Sequence, residues 1–281
     1  TYRNWEVLVW DNGSADGTIE ELHRWIPHRL PGRVVIDRPM GLGASLAAMV
    51  EESRTEWCAR IDADDVNEPQ RLERQMQFVQ HHSQIGLLGT SMTLVGINGE
   101  PLEGGWDVVC GDAEIRWALR WRNCFNHPTV LFRRSAVIQA GNYHDCMPFE
   151  DYDLWMRMLP ITSVGNLSEK FVRYRIRENS VTASLSHDFK EIDNEVALRN
   201  AASLFPGLSA EQAISWRKKF QRHSQNRVDF SDLWKMPRIA ASAARSIDKP
   251  PSYFRRTKLY RRQRLVLLYK LLRQCLPGRK R

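Results

Sequence analysis

The chain has 281 residues, 42% of them hydrophobic, which suffices for one large domain or one domain with an appendage. Its five cysteines form no C-x-x-C pair, and their odd number argues against a disulfide framework or a zinc site and fits a reducing, cytoplasmic compartment. No apolar run approaches the ~20 residues of a membrane-spanning helix. Eleven Lys or Arg and no acid lie in residues 255–281; removing them from the net charge of +8 leaves −3 for the rest.

Strands and helices alternate in the first part of the chain. The predicted strands are Trp5–Trp10, Val34–Ile36 and Trp57–Ile61. A helical pattern follows each of them, and this alternation is typical of an α/β domain with a parallel sheet. From about Leu185 onward the chain is predicted to be helical and charged. We therefore predict two domains, at residues 1–184 and 185–281.

Three carboxylates, at Asp62, Asp64 and Asp65, follow the third predicted strand. Residues i and i+2 at a strand end point the same way, so Asp62 and Asp64 can face one site. Clustered carboxylates repel one another unless water or a cation compensates them. Hard oxygen ligands in this number suit Mg²⁺ or Mn²⁺, which usually also bind a substrate phosphate. The alternative is a solvated acidic turn before the next helix.

Polar residues also follow the first two strands, at Asp11 and at Asp37-Arg38. Ligands of open α/β sheets bind at the carboxyl ends of the strands. The convergence of these residues with the acidic cluster therefore favours a binding site over a solvated turn. Arg38 is interpreted either as a contact to a diphosphate or base or as an ordinary surface arginine.

Five motifs occur in order within residues 1–182: WEVLVWDNGSADGT, RPMGLGASLAAMV, WCARIDADD, NHPTVLFRRSAV and FEDYDLWMRM. Together they resemble the family 2 glycosyltransferases, in particular the bacterial enzymes that build cell-surface polysaccharide. The resemblance implies a GT-A fold, with a Rossmann-like, mostly parallel sheet flanked by helices, to which a helical, basic C-terminal extension is added here. The family begins with a strand that has no counterpart in this sequence, so the first strand of the sheet is predicted to be lacking.

The resemblance implies an enzyme that transfers a sugar, with inversion, from a nucleotide-sugar donor to a hydroxyl of a glycan or lipid-linked acceptor. The expected donor is a UDP-sugar. Asp62-Ala63-Asp64 matches the family's D-x-D motif, in which Asp64 would hold Mg²⁺ or Mn²⁺ on the diphosphate and Asp62 would contact the ribose side. Asp11 and Asn12 match the loop that contacts the base.

Asp151, in the pair Glu150-Asp151, matches the family's catalytic base. Inverting transfer is one in-line displacement, so a single general base has to remove the proton of the acceptor hydroxyl. The alternative for Asp151 is an acid that favours a helix N-terminus. Glu150 is expected to orient the acceptor or tune the base. His127 matches a family segment near the acceptor, with a purely structural histidine as the alternative.

Residues 253–281 interleave leucines with arginines, which predicts a basic amphipathic helix at an anionic membrane surface, here the inner face of the membrane. A helix that packs its leucines on the main domain is the alternative. Nucleic acid is not an expected partner, because the rest of the chain is negative. Two alternatives to sugar transfer also stand: a nucleotidyltransferase of similar sheet architecture, and an inactive fragment that only binds nucleotide.

Overall fold

The computed structural model describes residues 1–104, 108–145, 149–177, 205–220 and 228–275. The strands are β1 (Val7–Asp11), β2 (Gly32–Ile36), β3 (Trp57–Ala59), β4 (Val66–Asn67), β5 (Ile85–Val95), β6 (Leu131–Arg133) and β7 (Ser163–Arg175). The helices are α1 (Thr18–Trp25), α2 (Leu42–Glu52), α3 (Arg71–His81), α4 (Asp112–Ala118), α5 (Arg134–Gln139), α6 (Glu150–Met158), α7 (Ala210–Lys218), α8 (Phe230–Arg245) and α9 (Lys258–Cys275).

The strands form two sheets. β1 and β2 pair in parallel, with Val7 opposite Gly32 and Asp11 opposite Ile36. The other strands form a sheet in the order β3-β6-β5-β7-β4, in which β3 with β6, β6 with β5 and β7 with β4 are antiparallel. The predicted α/β class is confirmed, but the sheet is mixed rather than mostly parallel. β3 does not continue the parallel pair, because its backbone groups pair with β6.

The chain divides into two compact units. The first lies within Thr1–Asp107, Phe125–Ser163 and Leu167–Glu178, and the second within Val108–Cys124, Val164–Asn166 and Asn179–Arg281. The predicted boundary between residues 184 and 185 falls outside the described residues and stays a prediction.

The core of the first unit includes Val79 of α3 and Leu88 of β5, both buried together with Leu131 of β6. The buried face of α3 also carries two polar residues one and two turns before Val79, Gln75 and Arg71. The side-chain amide of Gln75 donates to the carbonyls of Thr129 and Leu88, at 2.9 and 3.2 Å. α3 is thus fixed to the sheet by buried hydrogen bonds as well as by apolar packing.

Helix α9 has two apolar faces. On the inner face, Leu267 and Leu271 are buried, and the side chain of Gln263 accepts a 2.6 Å hydrogen bond from the indole of Trp117 in α4. The outer face carries four residues at the spacing i, i+3, i+4 and i+7, with exposed fractions of 43–66%: Leu265, Leu268, Tyr269 and Leu272. We refer to these four as the α9 apolar stripe. No helix in the described part of the chain is long and apolar enough to cross a bilayer.

Candidate active site

The acidic cluster lies on a turn directly after β3. The amide of Arg60 donates to the carbonyl of Val130 at 2.9 Å, which extends the pairing of β3 with β6 by one residue. The turn then closes with a 3.1 Å hydrogen bond from the amide of Asp65 to the carbonyl of Asp62. The end of the sheet therefore fixes the backbone that carries all three carboxylates.

Asp62 and Asp64 both face arginines. The guanidinium of Arg60 grips the Asp62 carboxylate with two nitrogens, at 2.7 and 2.5 Å. Asp64 lies 2.9 Å from Nε of Arg177, whose side chain is about half exposed. Arg60 is mostly buried and Arg177 is not, so the pair at Asp62 is the more rigid of the two and the pair at Asp64 is the more screened by water.

Asp65 is the most buried acid of the cluster. One oxygen of its carboxylate accepts from the amide of Arg175 in β7 at 2.9 Å. Its other oxygen, Oδ2, is buried and has no hydrogen-bond partner in the described chain. Burial, together with the charges of Asp62 and Asp64, raises the pKa of Asp65 to about 6. The three acids of the turn therefore differ in environment: Asp62 and Asp64 are partly exposed and paired with arginines, and Asp65 is buried.

Asp11 shapes the loop after β1. Its carboxylate accepts from the amides of Gly13 and Ser14, at 3.0 and 2.9 Å, and the residue is buried. The hydroxyl of Ser14, followed by its amide, holds the pKa of Asp11 below its usual value. Asp11 is therefore an ionised group at the end of the sheet, and its hydrogen bonds close the loop that follows β1.

Asn12 joins two loops. Its amide nitrogen donates to the carbonyl of Met40, and its amide oxygen accepts from the amide of Met40, each at 2.8 Å. Asn12 thereby ties the loop after β1 to the loop that leads into α2. Arg38 lies in the latter loop and is exposed, and its guanidinium forms no ion pair with any described residue. The predicted base contact of Asn12 and the predicted phosphate or base contact of Arg38 both stay predictions.

Glu150 and Asp151 begin helix α6. Glu150 is buried, with an oxygen 3.7 Å from Nδ1 of His127. Burial, together with the charges of Asp151 and Asp62 and opposed by that of Arg60, raises the pKa of Glu150 to about 7. Since Asp62 acts on Glu150, the two predicted halves of the site, about 90 positions apart in sequence, lie within electrostatic reach of each other.

Asp151 is half-buried and accepts a 2.6 Å hydrogen bond from the amide of Tyr152. This contact is that expected of an acid in the first turn of a helix. Its charge also raises the pKa of Tyr143. Asp153, by contrast, is buried and binds Arg157 within the same helix at 2.9 Å. Of the helix acids, Asp151 is thus more accessible than either Glu150 or Asp153.

His127 and Tyr143 line the buried side of Glu150. Nε2 of His127 lies 3.1 Å from the Tyr143 hydroxyl, and the edge of its ring meets Trp155. Burial, together with the charge of Arg60, holds the pKa of His127 well below its usual value, so the ring is neutral at pH 7. The structure therefore places His127 beside Glu150, one member of the acid pair.

Sequence reasoning missed Arg60. Its charge shifts the pKa values of Glu150, His127 and Tyr143 on one side and of Asp65 on the other. The signal in the sequence was its i, i+2 spacing from Asp62 at a strand end, which puts the two side chains on one side. The charge of Arg60 therefore reaches both groups of acids.

Known proteins match a large part of this chain. The model of the family described as glycosyl transferase family 2 matches residues 1–138. The amylovoran biosynthesis glycosyltransferase AmsE of Erwinia amylovora is 30% identical over 194 residues, which cover 68% of this chain and 71% of that protein. The O-antigen biosynthesis glycosyltransferase WbnJ of Escherichia coli is 32% identical over 191 residues, covering 66% and 73%.

Among solved structures, S. aureus TarS 1–349 in complex with UDP-GlcNAc matches 96% of this chain and 81% of its own, with a TM-score of 0.57 and 16% identity. At this identity the similarity bears on the fold alone, and it confirms the GT-A architecture. The two closer sequence matches confirm the predicted enzyme class and set aside the nucleotidyltransferase alternative. The chain therefore belongs to glycosyl transferase family 2.

Proposed function

We propose that the protein transfers a sugar, with inversion, from a nucleotide-sugar donor to a hydroxyl of a glycan or lipid-linked acceptor in bacterial surface polysaccharide synthesis. The observation that carries this proposal is that Asp62, in the acidic turn after β3 where Arg60 holds it, lies near enough to Glu150 at the start of α6 for its charge to raise the pKa of Glu150. It supports one site with a donor side and an acceptor side. The names of AmsE and WbnJ, both biosynthetic glycosyltransferases, support the same class of product.

Asp151 is assigned as the general base. It takes the proton of the acceptor hydroxyl while the acceptor oxygen bonds to the anomeric carbon and the bond from that carbon to the nucleoside diphosphate breaks. No covalent intermediate with the protein is needed. The greater accessibility of Asp151, compared with the buried Glu150, supports this division. Glu150 lies between His127 and Asp151 and is assigned to tune and orient the base.

Asp64 and Asp62 are assigned to hold Mg²⁺ or Mn²⁺. When bound, such an ion stabilises the charge that develops on the leaving diphosphate. No group of three His, Cys, Asp or Glu side chains converges as a finished metal site among the described residues. This fits ions of this kind, which are usually bound by one or two carboxylates together with substrate phosphates.

Titration calorimetry with UDP tests the donor side. We expect UDP to bind in the presence of Mn²⁺ and to lose most of its affinity when EDTA removes the metal. Asp64→Asn should weaken binding by about 10- to 100-fold, because a contact to a charged group contributes about 1.5–3 kcal/mol. The control is Glu52→Gln, which removes only a surface pair with Arg33. No heat at millimolar UDP would contradict the donor side of the proposal and favour an inactive fragment.

The second part of the proposal concerns the membrane: the α9 apolar stripe rests on the inner, anionic face, where a lipid-linked acceptor would be found. Three exposed arginines, Arg261, Arg262 and Arg264, lie on the same helix, and the inner face of α9 is already packed. Apolar residues with a basic border are typical of helices that lie in the plane of a bilayer interface. Both sequence interpretations can therefore hold, one for each face of α9.

Co-sedimentation with vesicles tests this surface. We expect binding to anionic vesicles that weakens with salt and is absent from neutral vesicles. Replacing all three arginines by glutamine should weaken binding on the order of 100-fold, at about 1 kcal/mol per cation. Leu265→Ser with Leu268→Ser tests the stripe without touching the buried Leu267, and Ile97→Ser, also exposed, is the control. Salt-independent binding, or none, would contradict the assignment.

A further inference from the structure

Arg60 is held more firmly than a surface arginine needs to be. Its amide is bonded to the carbonyl of Val130 at 2.9 Å, and its own carbonyl accepts from the guanidinium of Arg71 at 2.7 Å. Its side chain is only 12% exposed. Both the backbone and the side chain of Arg60 are therefore fixed before any substrate binds.

The guanidinium of Arg60 grips one carboxylate in a two-point contact. Two of its nitrogens bind the two oxygens of Asp62, at 2.7 and 2.5 Å, and this fork geometry fixes the plane of the carboxylate. The side chain of Asp62 is 36% exposed, so a ligand can reach it, whereas the side chain of Arg60 is mostly buried. Nε of Arg60 is buried and has no hydrogen-bond partner in the described chain.

The guanidinium of Arg60 contacts Asp62, and its charge also reaches the other side of the proposed site. Asp62 belongs to the donor side, and Glu150, His127 and Tyr143 belong to the acceptor side; the charge of Arg60 acts on all three of these last groups. A pair that existed only to stabilise the fold would not need an exposed carboxylate as its partner. This arrangement suits a residue that sets the geometry of a binding acid.

We propose that Arg60 is a positioning residue, which fixes the Asp62 carboxylate for the nucleotide. This inference rests on the proposed function, because Asp62 is the donor-side acid. A lysine at position 60 would keep the charge, but as a compact point charge it would not grip both oxygens in one plane. Arg60→Lys therefore removes the two-point geometry and keeps the charge, whereas Arg60→Met removes both.

A double-mutant cycle on UDP affinity tests the proposal. In the presence of Mn²⁺, Arg60→Met should weaken UDP binding by about 10- to 100-fold, the usual effect of losing the residue that orients a ligand-binding group. Arg60→Lys should fall between Arg60→Met and the wild type. If Arg60 acts through Asp62, the double variant Arg60→Met/Asp62→Asn should bind UDP as Asp62→Asn alone does, so the effects should not add.

Several outcomes would overturn the inference. If Arg60→Met binds UDP as the wild type does, or if the losses of the two single variants multiply in the double variant, Arg60 does not act through Asp62. If the wild type binds no UDP, the proposed function fails and the inference fails with it. Thermal unfolding checks that each variant is folded; should Arg60→Met not fold, the same cycle is run with Arg60→Lys. Arg74→Met, which removes an exposed pair with Glu169, is the control.

Discussion

Asp151→Asn is expected to lower turnover by about 10²- to 10⁴-fold, the range that a positioned general base contributes. Asparagine has the same size as aspartate and keeps an oxygen that can accept from the backbone N–H of Tyr152. Its side-chain amide, however, cannot take up the proton of the acceptor hydroxyl. UDP affinity should be unchanged, because Asp151 is assigned to the acceptor. The loss should therefore appear in kcat.

The measurement is UDP release from UDP-sugars in the presence of bacterial glycolipid acceptors, together with UDP titration of the same protein. Glu52→Gln again serves as the control, since its carboxylate only pairs with Arg33 at the surface. Undiminished turnover in Asp151→Asn would remove Asp151 as the base. A parallel loss of UDP affinity would move it to the donor side.

Arg71→Met is expected to lower the free energy of unfolding by about 2–4 kcal/mol, because buried acceptors would lose a charged donor. The guanidinium of Arg71 is almost fully buried and donates to the carbonyl of Arg60 at 2.7 Å and to the side chains of Asn67 and Gln75 at 2.5 and 3.1 Å. Burial lowers the pKa of Arg71 to about 9, which still leaves it charged at pH 7. Methionine fills similar space but offers none of these hydrogen bonds.

Urea unfolding of Arg71→Met and Arg74→Met makes the comparison within one helix. Arg74 lies one turn from the N-terminus of α3, is exposed, and pairs only with Glu169, so its loss should cost less than about 1 kcal/mol. Equal midpoints for the two variants would show that Arg71 contributes no more than a surface residue.

Local patterns in the sequence predicted most of the elements and the motifs at their ends. β1, β2 and β3 lie where continuous apolar runs occur, and the acidic cluster follows β3 as predicted. The antiparallel pairing of β3 with β6 was not predictable in the same way. It depends on a strand about 70 positions later, and no period within either strand specifies its neighbour.

β7 shows a second limit. The sequence alternates like a strand only from Phe171 onward, whereas the strand begins at Ser163. Its first half is polar in sequence, yet Asn166 is buried there, because its amide donates to the carbonyls of Val109 and Cys124 at 2.9 and 3.2 Å. A buried polar residue is recognisable only once its partners are known, and these lie more than 40 positions away.

The site residues that the sequence did not reveal also depend on partners that are distant along the chain. The motifs identified Asp62, Asp64 and Asp151, whose types and spacing are informative by themselves. They did not identify Asp65 as the buried acid of its turn, nor Arg60 as the cation beside Glu150. Burial and mutual charge are properties of the packed chain, so they were accessible only from the structure.

The amide of Asn12 has a consequence for how this protein could diverge from its relatives. An aspartate at this position would have no N–H to offer the carbonyl of Met40, and would leave two acceptors facing each other. An aspartate here would therefore need a differently shaped loop before α2. Because Asn12 bonds the backbone of Met40 and not its side chain, residue 12 is expected to change together with the shape of this loop rather than with the identity of residue 40, and transplanting a nucleotide preference from a relative would require both loops to be exchanged together.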